Sequence, residues 1–382
     1  MKEMHRPRFA LGFVGGGLSS AVGLTHYAAS QLDGRWELAA GVFSRNAETN
    51  RATARAWHVP PERLYGSWRE LIEGERGRLD AVAVLLPTPD HIEVILALLD
   101  AGIPVICEKA LVSSLEDGRR IQCRFDPARH FLAVTYNYSG YPMMRELRER
   151  VRGGELGRIN QIQLEMPQEG FARPPDIGGQ ALPPQPWRLR DQEIPTICLD
   201  LGVHLHHLAY FLTGREPVAL MAEYNAYSSY PDIIDDVKMW LRYDDGMSAS
   251  YWMTKTSIGT RNGLQVRIYG EQGSGEWLQL NAEELRLSYL DGTIMLLDRG
   301  SRSSVCRLPR YNRMKVGHPS GFIEAFANLY VDIADALLEW RDGGERSNPY
   351  VFGLEHAVRG LELFHRSRAS ARDGAWKEMG DG

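Results

Sequence analysis

Asp200 and His204 stand four positions apart in a stretch that has a helical pattern, so both side chains should project from one face. Oxidation of an alcohol needs a group that takes the hydroxyl proton as hydride leaves carbon. A histidine titrates near neutrality and suits that role, and a nearby carboxylate can orient the substrate or tune the histidine. Lys109 follows a buried strand, at the sheet edge where α/β folds bind ligands. Its ammonium can stabilise negative charge developing on oxygen.

Each of these residue types also has an ordinary structural role. A lysine at the end of a strand is commonly solvated, and a helical Asp/His pair is commonly a surface contact or a satisfied core pair. His204, His206 and His207 form a cluster that could suggest a metal. However, the cluster lacks HExxH spacing, and three histidines so close cannot all face one ion on a regular helix. We therefore predict no metal at this site.

A glycine-rich turn predicts the binding of a dinucleotide pyrophosphate. Gly15 and Gly17 follow the apolar run 9–14 and precede a helical pattern. Glycines permit tight backbone angles and let a phosphate approach the chain, while the helix N-terminus supplies amide donors. The spacing departs from GxGxxG, because Ser20 stands at the third position and the next glycine is Gly23. The predicted contacts of the pyrophosphate are Gly15, Gly17, Leu18 and Ser19.

The residues after the second strand bear on the choice of cofactor. NAD-binding folds usually place Asp or Glu there, but this chain has Ser44, Arg45 and Asn46, with no acid until Glu48. Arg45 could pair with the 2′-phosphate of NADP. Alternatively, Arg45 stacks on adenine or is solvated, and Ser44 holds the ribose of NAD. The pattern leaves both cofactors open, with a slight preference for NADP.

Strand and helix patterns alternate through the first third of the chain. Predicted strands cover 9–14, 36–43, 80–86, 104–107 and 131–136. Helical patterns cover 18–32, 47–57 and 90–101, and capping-box spacing opens two more helices at Ser67 and Ser114. Strands that alternate with helices of this length predict βαβ units on a parallel sheet.

The rest of the chain has a different pattern. After a helix at 143–151, residues 167–195 are rich in proline and form a long loop that we expect to fold over the site. A helix at 197–212 follows, and helices near 320–341 and 353–370 finish the chain. Between them lie β-like segments at 218–227, 234–243, 247–257, 264–270, 275–280 and 285–298. Strands without intervening helices imply an antiparallel sheet.

These patterns predict an α/β protein with two domains. An N-terminal Rossmann dinucleotide-binding domain should cover residues 1–138. A C-terminal α+β domain over 139–382 should contain a large, mostly antiparallel open sheet. Because one face of that sheet needs cover, we expect a partner subunit to lie on it.

Composition excludes several classes of protein. The 382 residues carry a net charge of −5, with 43% hydrophobic and 24% charged residues, which is ordinary for a folded protein and unlike a disordered one. A mildly acidic chain is a poor binder of nucleic acid, and no apolar run approaches the roughly 18 residues that span a bilayer. The N-terminus lacks a secretory pattern, and the four cysteines form no CxxC. We therefore expect reduced thiols in a cytoplasmic protein without nucleic-acid or membrane partners.

Several motifs in combination resemble the Gfo/Idh/MocA oxidoreductases, the family of glucose–fructose oxidoreductase and inositol dehydrogenase. They are Thr88-Pro89-Asp90-His91, Cys107-Glu108-Lys109-Ala110, Trp187-Arg188, Asp200-Leu-Gly-Val-His204 and Gly317-His318-Pro319-Ser320-Gly321-Phe322-x-Glu324-x-Phe326. The last motif and the insertion between Gly17 and Gly23 resemble a subgroup with an extended glycine loop. One departure is clear, since the family's Glu-Lys-Pro reads Glu-Lys-Ala here.

The resemblance implies site residues and an assembly. The catalytic trio would be Lys109, Asp200 and His204. Cofactor contacts beyond the glycine loop would be Ser44, Arg45, Pro87, Thr88, His91, Glu108, Lys109 and Asn137. Substrate contacts would be Lys109, Tyr136, Trp187, Arg188, Asp200, His204 and His318. The family commonly forms homodimers or homotetramers through the C-terminal sheet.

The favoured interpretation is an NAD(P)-dependent oxidoreductase. It would transfer hydride between the nicotinamide and a secondary alcohol or ketone of a sugar, a polyol or a sugar derivative, nucleotide-linked sugars included. One alternative is a non-catalytic dinucleotide sensor whose second sheet is a protein interface, although Lys109, Asp200 and His204 argue against it. Another is an enzyme that keeps its cofactor tightly bound and recycles it within one reaction.

Overall fold

The computed structural model describes residues 7–20, 22–173, 176–177, 180–181, 183–302, 305–343 and 348–380, with backbone alone at 176–177, 180–181 and 305. The chain forms two compact units. The first comprises Met1–Val112, Glu116–Gly140 and Phe322–Val358, and the second comprises Ser113–Leu115, Tyr141–Gly321 and Arg359–Gly382. The N-terminal residues 1–6 and parts of the predicted loop at 167–195 lie outside the described residues.

The first unit contains a parallel sheet of five strands. These are β1 (Phe9–Gly15), β2 (Trp36–Val42), β3 (Ala81–Leu85), β4 (Val105–Cys107) and β5 (Leu132–Val134). Their order is β2-β1-β3-β4-β5, and every pairing is parallel. The helices that alternate with them are α1 (Gly23–Leu32), α2 (Ala47–Ala56), α3 (Trp68–Glu75), α4 (His91–Asp100) and α5 (Leu115–Arg124). The predicted Rossmann sheet is therefore confirmed, and the strand order reverses between β1 and β3, where such folds bind ligands.

Helix α1 begins later than the sequence predicted. Residues 18–20 form a turn, and the hydroxyl of Ser20 accepts hydrogen bonds from the amides of Val22 and Gly23, both at 3.3 Å. The predicted start at Leu18 was wrong. The Ser20 hydroxyl accepts the hydrogen bonds of two amides that would have bonded to backbone carbonyls in a helix beginning at Leu18.

Helix α8 (Phe322–Arg341) belongs to the first unit, unlike the contiguous second domain predicted over 139–382. Its apolar residues join the core formed by β1 and β2. The indole of Trp36 donates to the carbonyl of Tyr330 at 2.9 Å, and Arg35 pairs with Asp335 at 2.7 Å. Burial of this helix against the parallel sheet explains why a distant part of the sequence completes the first unit.

The second unit is built on a sheet of nine strands. These are β6 (Ile159–Pro167), β9 (Ala219–Asn225), β10 (Asp236–Arg242), β11 (Ser248–Thr254), β12 (Gln265–Gly270), β13 (Gly273–Leu278), β14 (Leu285–Tyr289), β15 (Ile294–Leu297) and β16 (Lys377–Glu378). Their order is β15-β14-β13-β12-β6-β11-β10-β9-β16. All pairings are antiparallel except that of β6 with β11, which confirms the mostly antiparallel sheet. In a separate two-stranded sheet, β7 (Asp176–Ile177) pairs antiparallel with β8 (Gln180–Ala181).

Two features of this sheet differ from the sequence prediction. Strand β6 was not predicted, although it lies at the centre of the sheet. The single segment expected at 285–298 is two strands, β14 and β15, because Gly292 adopts a left-handed φ of 86° in the turn between them.

Helices cover one face of the nine-stranded sheet. They are α6 (Pro142–Arg152), α7 (Val203–Thr213) and the later part of α9 (Leu354–Asp373). On the opposite face, Trp240 of β10 and Tyr269 of β12 are 45% and 37% exposed. Within the described parts of the chain, no helix combines the length and apolar character needed to cross a membrane.

Candidate active site

The glycine loop after β1 has no room for side chains. Gly15 and Gly16 adopt left-handed φ angles of 84° and 72°. A Cβ on Gly15 would lie 2.8 Å from the carbonyl oxygen of Leu85, and a Cβ on Gly17 would lie 2.9 Å from that of Phe43. The backbone passes so close to the ends of β3 and β2 that only glycine fits at positions 15 and 17.

Gly23 serves the purpose of the third glycine of the dinucleotide fingerprint. Its Cβ would lie 1.8 Å from the carbonyl oxygen of Gly16, so only glycine lets α1 approach the end of β1. Within the insertion between Gly17 and Gly23, residues 18–20 form a turn that exposes Leu18 and Ser19. The loop therefore keeps the close helix–strand approach despite its altered spacing, and its assignment to a particular subgroup stays a prediction.

The turn after β2 holds Ser44 and Arg45 at the surface. The guanidinium of Arg45, 89% exposed, donates to Oδ2 of Asp90 at 2.8 Å. The hydroxyl of Ser44 accepts from the amide of Asn46 at 3.1 Å, and Asn46 caps α2 by accepting from the amide of Thr49 at 2.9 Å. The charge of Arg45 is thus shared with a carboxylate from the start of α4.

His91, a cofactor contact in the set that the resemblance implied, has a completely buried side chain. Nε2 lies 2.8 Å from the carbonyl of Leu86, and Nδ1 lies 3.1 Å and 3.0 Å from those of Ala110 and Leu111. Burial lowers the pKa of His91 against the opposing effect of these carbonyls. Its side chain shapes the turn around Lys109.

The turn after β4 carries Lys109, which is half-buried and precedes a cis peptide bond to Ala110. Glu108 beside it is buried and accepts from Nε2 of His26 at 2.9 Å and from the hydroxyl of Thr135 at 2.6 Å. Burial acts to raise the pKa of Glu108, but the hydrogen bonds from His26 and Thr135 and the charges of His26 and Lys109 outweigh it and lower the pKa. Glu108 is therefore a carboxylate near neutral pH.

Other predicted cofactor contacts, and the predicted substrate contact Tyr136, lie at the ends of neighbouring strands. Pro87 and Thr88 follow β3, and Thr88 is buried. Tyr136 and Asn137 follow β5 and are both buried. Among the described residues, none accepts a hydrogen bond from the buried Nδ2 of Asn137. An amide in that condition suits a ligand that brings its own carboxamide or hydroxyl groups.

Asp200 lies in the second unit, in a π-helical segment (Cys198–Gly202) that leads into α7. π-Helical turns are frequent at functional sites. Oδ2 of Asp200 accepts from Nζ of Lys255 at 2.6 Å and also pairs with the guanidinium of Arg188. Nζ of Lys255 donates as well to Oε1 of Gln168 at 2.6 Å. Two cations thus converge on one oxygen of a buried carboxylate.

Lys255 is a site residue that sequence reasoning missed. It follows β11 directly, so its position resembles that of Lys109 after β4. No motif marks it, and the only available signal was a lysine at the end of an apolar strand. Its neighbour in space, Gln168, follows β6, the strand that was not predicted.

His204 lies at the start of α7 and is buried, and the π-helical segment that holds Asp200 leads directly into this helix. The neighbouring histidines have different surroundings. Nε2 of His206 lies 3.0 Å from Glu216, and the ring of His207 lies beside that of Phe211. Burial, reinforced by the charges of the neighbouring histidines and Arg148, lowers the pKa of His207 well below its ordinary value.

Trp187 and Arg188 lie in a 3₁₀ turn (Pro186–Leu189), where the guanidinium stacks 4.6 Å above the indole ring. This turn brings Arg188 to Asp200. A small cavity beside Asp200 is lined by Phe171, Arg188, Thr196, Ile197, Ile233, Ile234 and Lys255. His318 has an exposed side chain, and Arg299 donates to its carbonyl oxygen at 2.8 Å.

Comparisons with known proteins agree with both units. The family described as "Oxidoreductase family, NAD-binding Rossmann fold" matches residues 9–136, and the "GFO/IDH/MocA C-terminal domain" matches residues 144–276. An uncharacterised oxidoreductase of Bacillus subtilis is 28% identical over 96% of this chain and 95% of its own. A myo-inositol dehydrogenase of Streptomyces leeuwenhoekii is 29% identical over 60% of this chain and 67% of its own.

A solved structure is similar along almost the whole chain. It is an inositol dehydrogenase homolog from Azotobacter vinelandii in complex with NADH and myo-inositol. The TM-score is 0.87 at 26% identity, with 98% of each chain covered. The resemblance drawn from the motifs is therefore confirmed.

Proposed function

This chain belongs to the Gfo/Idh/MocA family of oxidoreductases, and from that premise we propose that it is a nicotinamide-dependent dehydrogenase of a sugar or polyol. The observation that carries the proposal is the surroundings of Asp200. Arg188, Lys255 and Gln168 supply donors and acceptors for hydroxyl groups, and Phe171 adds an aromatic ring nearby. Such a mixture suits a polyhydroxylated substrate.

The residues of the first unit fit a dinucleotide. A side chain at Gly15 or Gly17 would clash with the backbone at the strand ends, so the loop keeps its amides uncovered by side chains, and the N-terminus of α1 follows it. Asn137 provides a buried amide donor for the nicotinamide end. We propose that Gly15, Gly17, Leu18 and Ser19 hold the pyrophosphate, with Ser44, Arg45, Pro87, Thr88, Glu108, Lys109 and Asn137 along the remainder. When bound, the nicotinamide dinucleotide supplies the hydride acceptor or donor.

The three proposed catalytic residues differ in charge, and each has a different role in the reaction. His204 accepts the proton of the substrate hydroxyl, because an imidazole can change protonation near neutral pH. The ammonium of Lys109 stabilises the alkoxide-like oxygen as hydride leaves carbon. Asp200, held by Lys255 and Arg188, orients the substrate hydroxyl and does not need to change charge.

For the cofactor, we propose NAD(H) as the preferred form. The slight preference for NADP rested on Ser44, on Arg45 and on the lack of an acid after the second strand, and Arg45 now pairs with Asp90 at 2.8 Å. A 2′-phosphate would have to displace the Asp90 carboxylate or lie beside it, which like charges oppose. The Azotobacter vinelandii relative is described as a complex with NADH, which supports the same choice.

We also propose that a second copy of the chain covers the open face of the nine-stranded sheet. Trp240 and Tyr269 expose large aromatic surface there, and helices cover only the opposite face in the described structure. Exposed aromatic groups on an open sheet mark an interaction surface. The assembly would be a homodimer or homotetramer.

The activity is tested by mixing the protein with NAD or NADP and a panel of sugars and polyols, nucleotide-linked sugars included, and following nicotinamide absorbance. His204→Ala and Lys109→Ala should each lower kcat by about 10²–10³-fold, with Asp200→Asn intermediate. The Kd of the cofactor should change little in comparison, because neither His204 nor Lys109 is needed to hold the pyrophosphate. His130→Ala is the control, because its ring accepts a hydrogen bond from the Asp126 amide on the first unit. Near-native turnover of His204→Ala with the wild-type pH profile would contradict the assignment of the base.

A further inference from the structure

Asp200 stands at one end of a line of hydrogen bonds that runs through four further side chains of the second unit. Nζ of Lys255 donates to Oδ2 of Asp200 and to Oε1 of Gln168, both at 2.6 Å. Nε2 of Gln168 donates to Oδ1 of Asn262 at 2.6 Å, and Nδ2 of Asn262 donates to Oε1 of Gln279 at 2.8 Å. The line therefore connects a buried carboxylate to the turn that follows β13.

The ammonium of Lys255 fixes the direction of the bonds along this line. An ammonium has three donors and no acceptor, so Gln168 has to turn its oxygen toward Lys255. The NH2 group of Gln168 then faces Asn262, which accepts through its oxygen. The NH2 group of Asn262 in turn faces the oxygen of Gln279. Each amide thus has one orientation that suits both of these neighbours, and the opposite orientation would bring two donors or two acceptors together.

The backbone around Lys255 and Gln168 is held as well. The amide of Lys255 donates to the carbonyl of Asp235 at 2.8 Å, and its carbonyl accepts from the amide of Phe171 at 2.9 Å. The amide of Gln168 donates to the carbonyl of Thr254 at 2.8 Å. Because these bonds fix the place where the lysine side chain begins, the position of its ammonium depends on the acceptors at its other end.

The side chains of Lys255 and Asp200 are 10% and 8% exposed, and both line the small cavity of the second unit. In surroundings with little water, a hydrogen bond between charged groups is strong. A lysine held by Gln168 donates to Asp200 from one fixed side. Removal of the Gln168 acceptor would let the long lysine side chain adopt other rotamers, and Asp200 would then lose a donor at a fixed position.

We propose that Gln168 and Asn262 are positioning residues for the sugar site. They hold the ammonium of Lys255, and through it the Asp200 carboxylate, in the orientation that receives the substrate hydroxyl. This inference rests on the proposed function, in which Asp200 orients that hydroxyl. Gln168 acts directly on Lys255, and Asn262 acts one bond further away by fixing the direction of the Gln168 amide. Gln279 accepts from the NH2 group of Asn262 and so fixes the direction of that amide.

The first test locates Lys255 directly and does not need activity. Crystal structures of the wild type, Gln168→Met and Asn262→Leu give the position of Nζ. Both variants keep the approximate volume of the side chain and remove its hydrogen bonds, so Lys255 should lose its single wild-type rotamer. Asn262→Asp can still accept from Gln168 and should keep that rotamer. A lysine that keeps its position in either Gln168→Met or Asn262→Leu would overturn the proposal.

The second test separates substrate binding from the amount of folded enzyme. Gln168→Met should raise KM for the sugar about tenfold, as expected for loss of one hydrogen bond to a charged group, while the Kd of NAD changes little. Asn262→Leu should raise KM by a smaller factor, and Asn262→Asp should keep the wild-type KM. A merely structural role would reduce the amount of folded enzyme, which lowers kcat and leaves KM unchanged, so that pattern would refute the positioning role. The control is Asn281→Leu, which removes an exposed hydrogen bond to Glu284 in the same unit.

A double variant tests whether Gln168 acts through Lys255. Lys255→Met removes the ammonium itself and should raise KM more than Gln168→Met does. Gln168→Met/Lys255→Met should then have the same KM as Lys255→Met, because the residues act as one unit. Multiplied effects would show that Gln168 acts on the substrate by another route and would contradict the proposal.

Gln168→Asn covers the case in which Gln168→Met does not fold. It keeps an amide but shortens the side chain by one methylene group, so the oxygen is withdrawn from Lys255. The lysine should move and KM should rise, and a wild-type lysine position with a wild-type KM would refute the inference. A wild type without dehydrogenase activity on any sugar or polyol would refute the proposed function. The crystal structures would still decide whether Gln168 and Asn262 fix Lys255.

Discussion

The carbonyl oxygen of Gly16 lies only 1.8 Å from the place where a Cβ atom of residue 23 would stand. Helix α1 and the end of β1 therefore approach each other too closely for any side chain at residue 23. This approach sets the shape of the dinucleotide loop, although five residues separate Gly17 from Gly23 and the sequence spacing departs from GxGxxG. What the fold requires is the backbone contact, and the spacing in the sequence can change around it.

Gly23→Ala should therefore weaken cofactor binding at least tenfold, because the new methyl group must push α1 away from the loop. Calorimetric measurement of the Kd of NAD gives the comparison. Gly34→Ala, just beyond the other end of α1, is the matched control: its φ is +64° and its Cβ would meet no atom within 4 Å. It should cost about 1 kcal/mol of stability and leave the Kd unchanged. Equal affinity in Gly23→Ala would contradict the proposed phosphate site.

The ion pair of Arg45 and Asp90 predicts how cofactor choice can be altered. Asp90→Ser should free the guanidinium and raise the affinity for NADP relative to NAD about fivefold, which corresponds to roughly 1 kcal/mol for an exposed charge. Asp90 makes no side-chain cap to α4, so the helix should remain intact. Arg45→Asp should change the ratio in the opposite direction. A ratio of Kd values that is unchanged in both variants would show that Arg45 does not face the ribose.

The parallel sheet could be predicted because buried strands are continuous apolar runs and their helices carry caps and periodic patterns. The end of each run then located Gly15, Lys109 and Asn137 at one edge of that sheet. The helix at 322–341 could not be assigned to its unit in the same way. Its pattern shows an apolar face but does not indicate which distant surface that face covers.

The missed residues have a common physical reason. Strand β6 reads Ile-Asn-Gln-Ile-Gln-Leu-Glu-Met-Pro, and its polar positions and terminal proline made it similar to the loop that follows. Lys255 and Gln168 belong to no motif, and their importance comes from partners distant in sequence, namely Asp200 and Asn262. Such pairings become visible only when the fold places the elements side by side.

The open sheet face predicts a change of assembly in Trp240→Glu. A charge at this exposed position should prevent a second copy from packing against the sheet, so light scattering at micromolar concentration should give the mass of one chain. Leu32→Glu places the same charge on the exposed end of α1 and should leave the mass of the wild type unchanged. A wild type that already has the mass of a single chain would contradict the proposed oligomer.

Stability should fall below pH 6.5 because His207 is buried in its neutral form. Its pKa in the folded state is lowered, so the unfolded chain binds a proton that the folded chain does not. The stabilisation is fully present above the ordinary value of about 6.5 and decreases as pH falls, by up to 1.4 kcal/mol per pH unit. In His207→Met, the free energy of unfolding should depend less steeply on pH, by up to about 1.4 kcal/mol per pH unit between roughly pH 6 and pH 5. Urea denaturation at several pH values measures it, and parallel curves for the two proteins would refute the assignment.

The contact between Lys255 and Asp200 predicts a particular pattern in a double-mutant cycle. Lys255→Met leaves a buried carboxylate with one of its two cations removed and should lower the free energy of unfolding by about 3 kcal/mol. Asp200→Asn/Lys255→Met removes both charges, so it should be more stable than Lys255→Met alone. Lys377→Met breaks a partly exposed pair with Asp373 and should cost less than about 1 kcal/mol.

The double variant Asp200→Asn/Lys255→Met should recover stability relative to Lys255→Met but should not recover kcat/KM. The double variant keeps neither the carboxylate that orients the substrate hydroxyl nor the ammonium that holds it, so its kcat/KM should stay at least as low as that of Asp200→Asn. Recovery of turnover together with stability would mean that Lys255 and Asp200 form only a structural ion pair. Recovery of stability without turnover is the result expected if the same two charges orient the substrate.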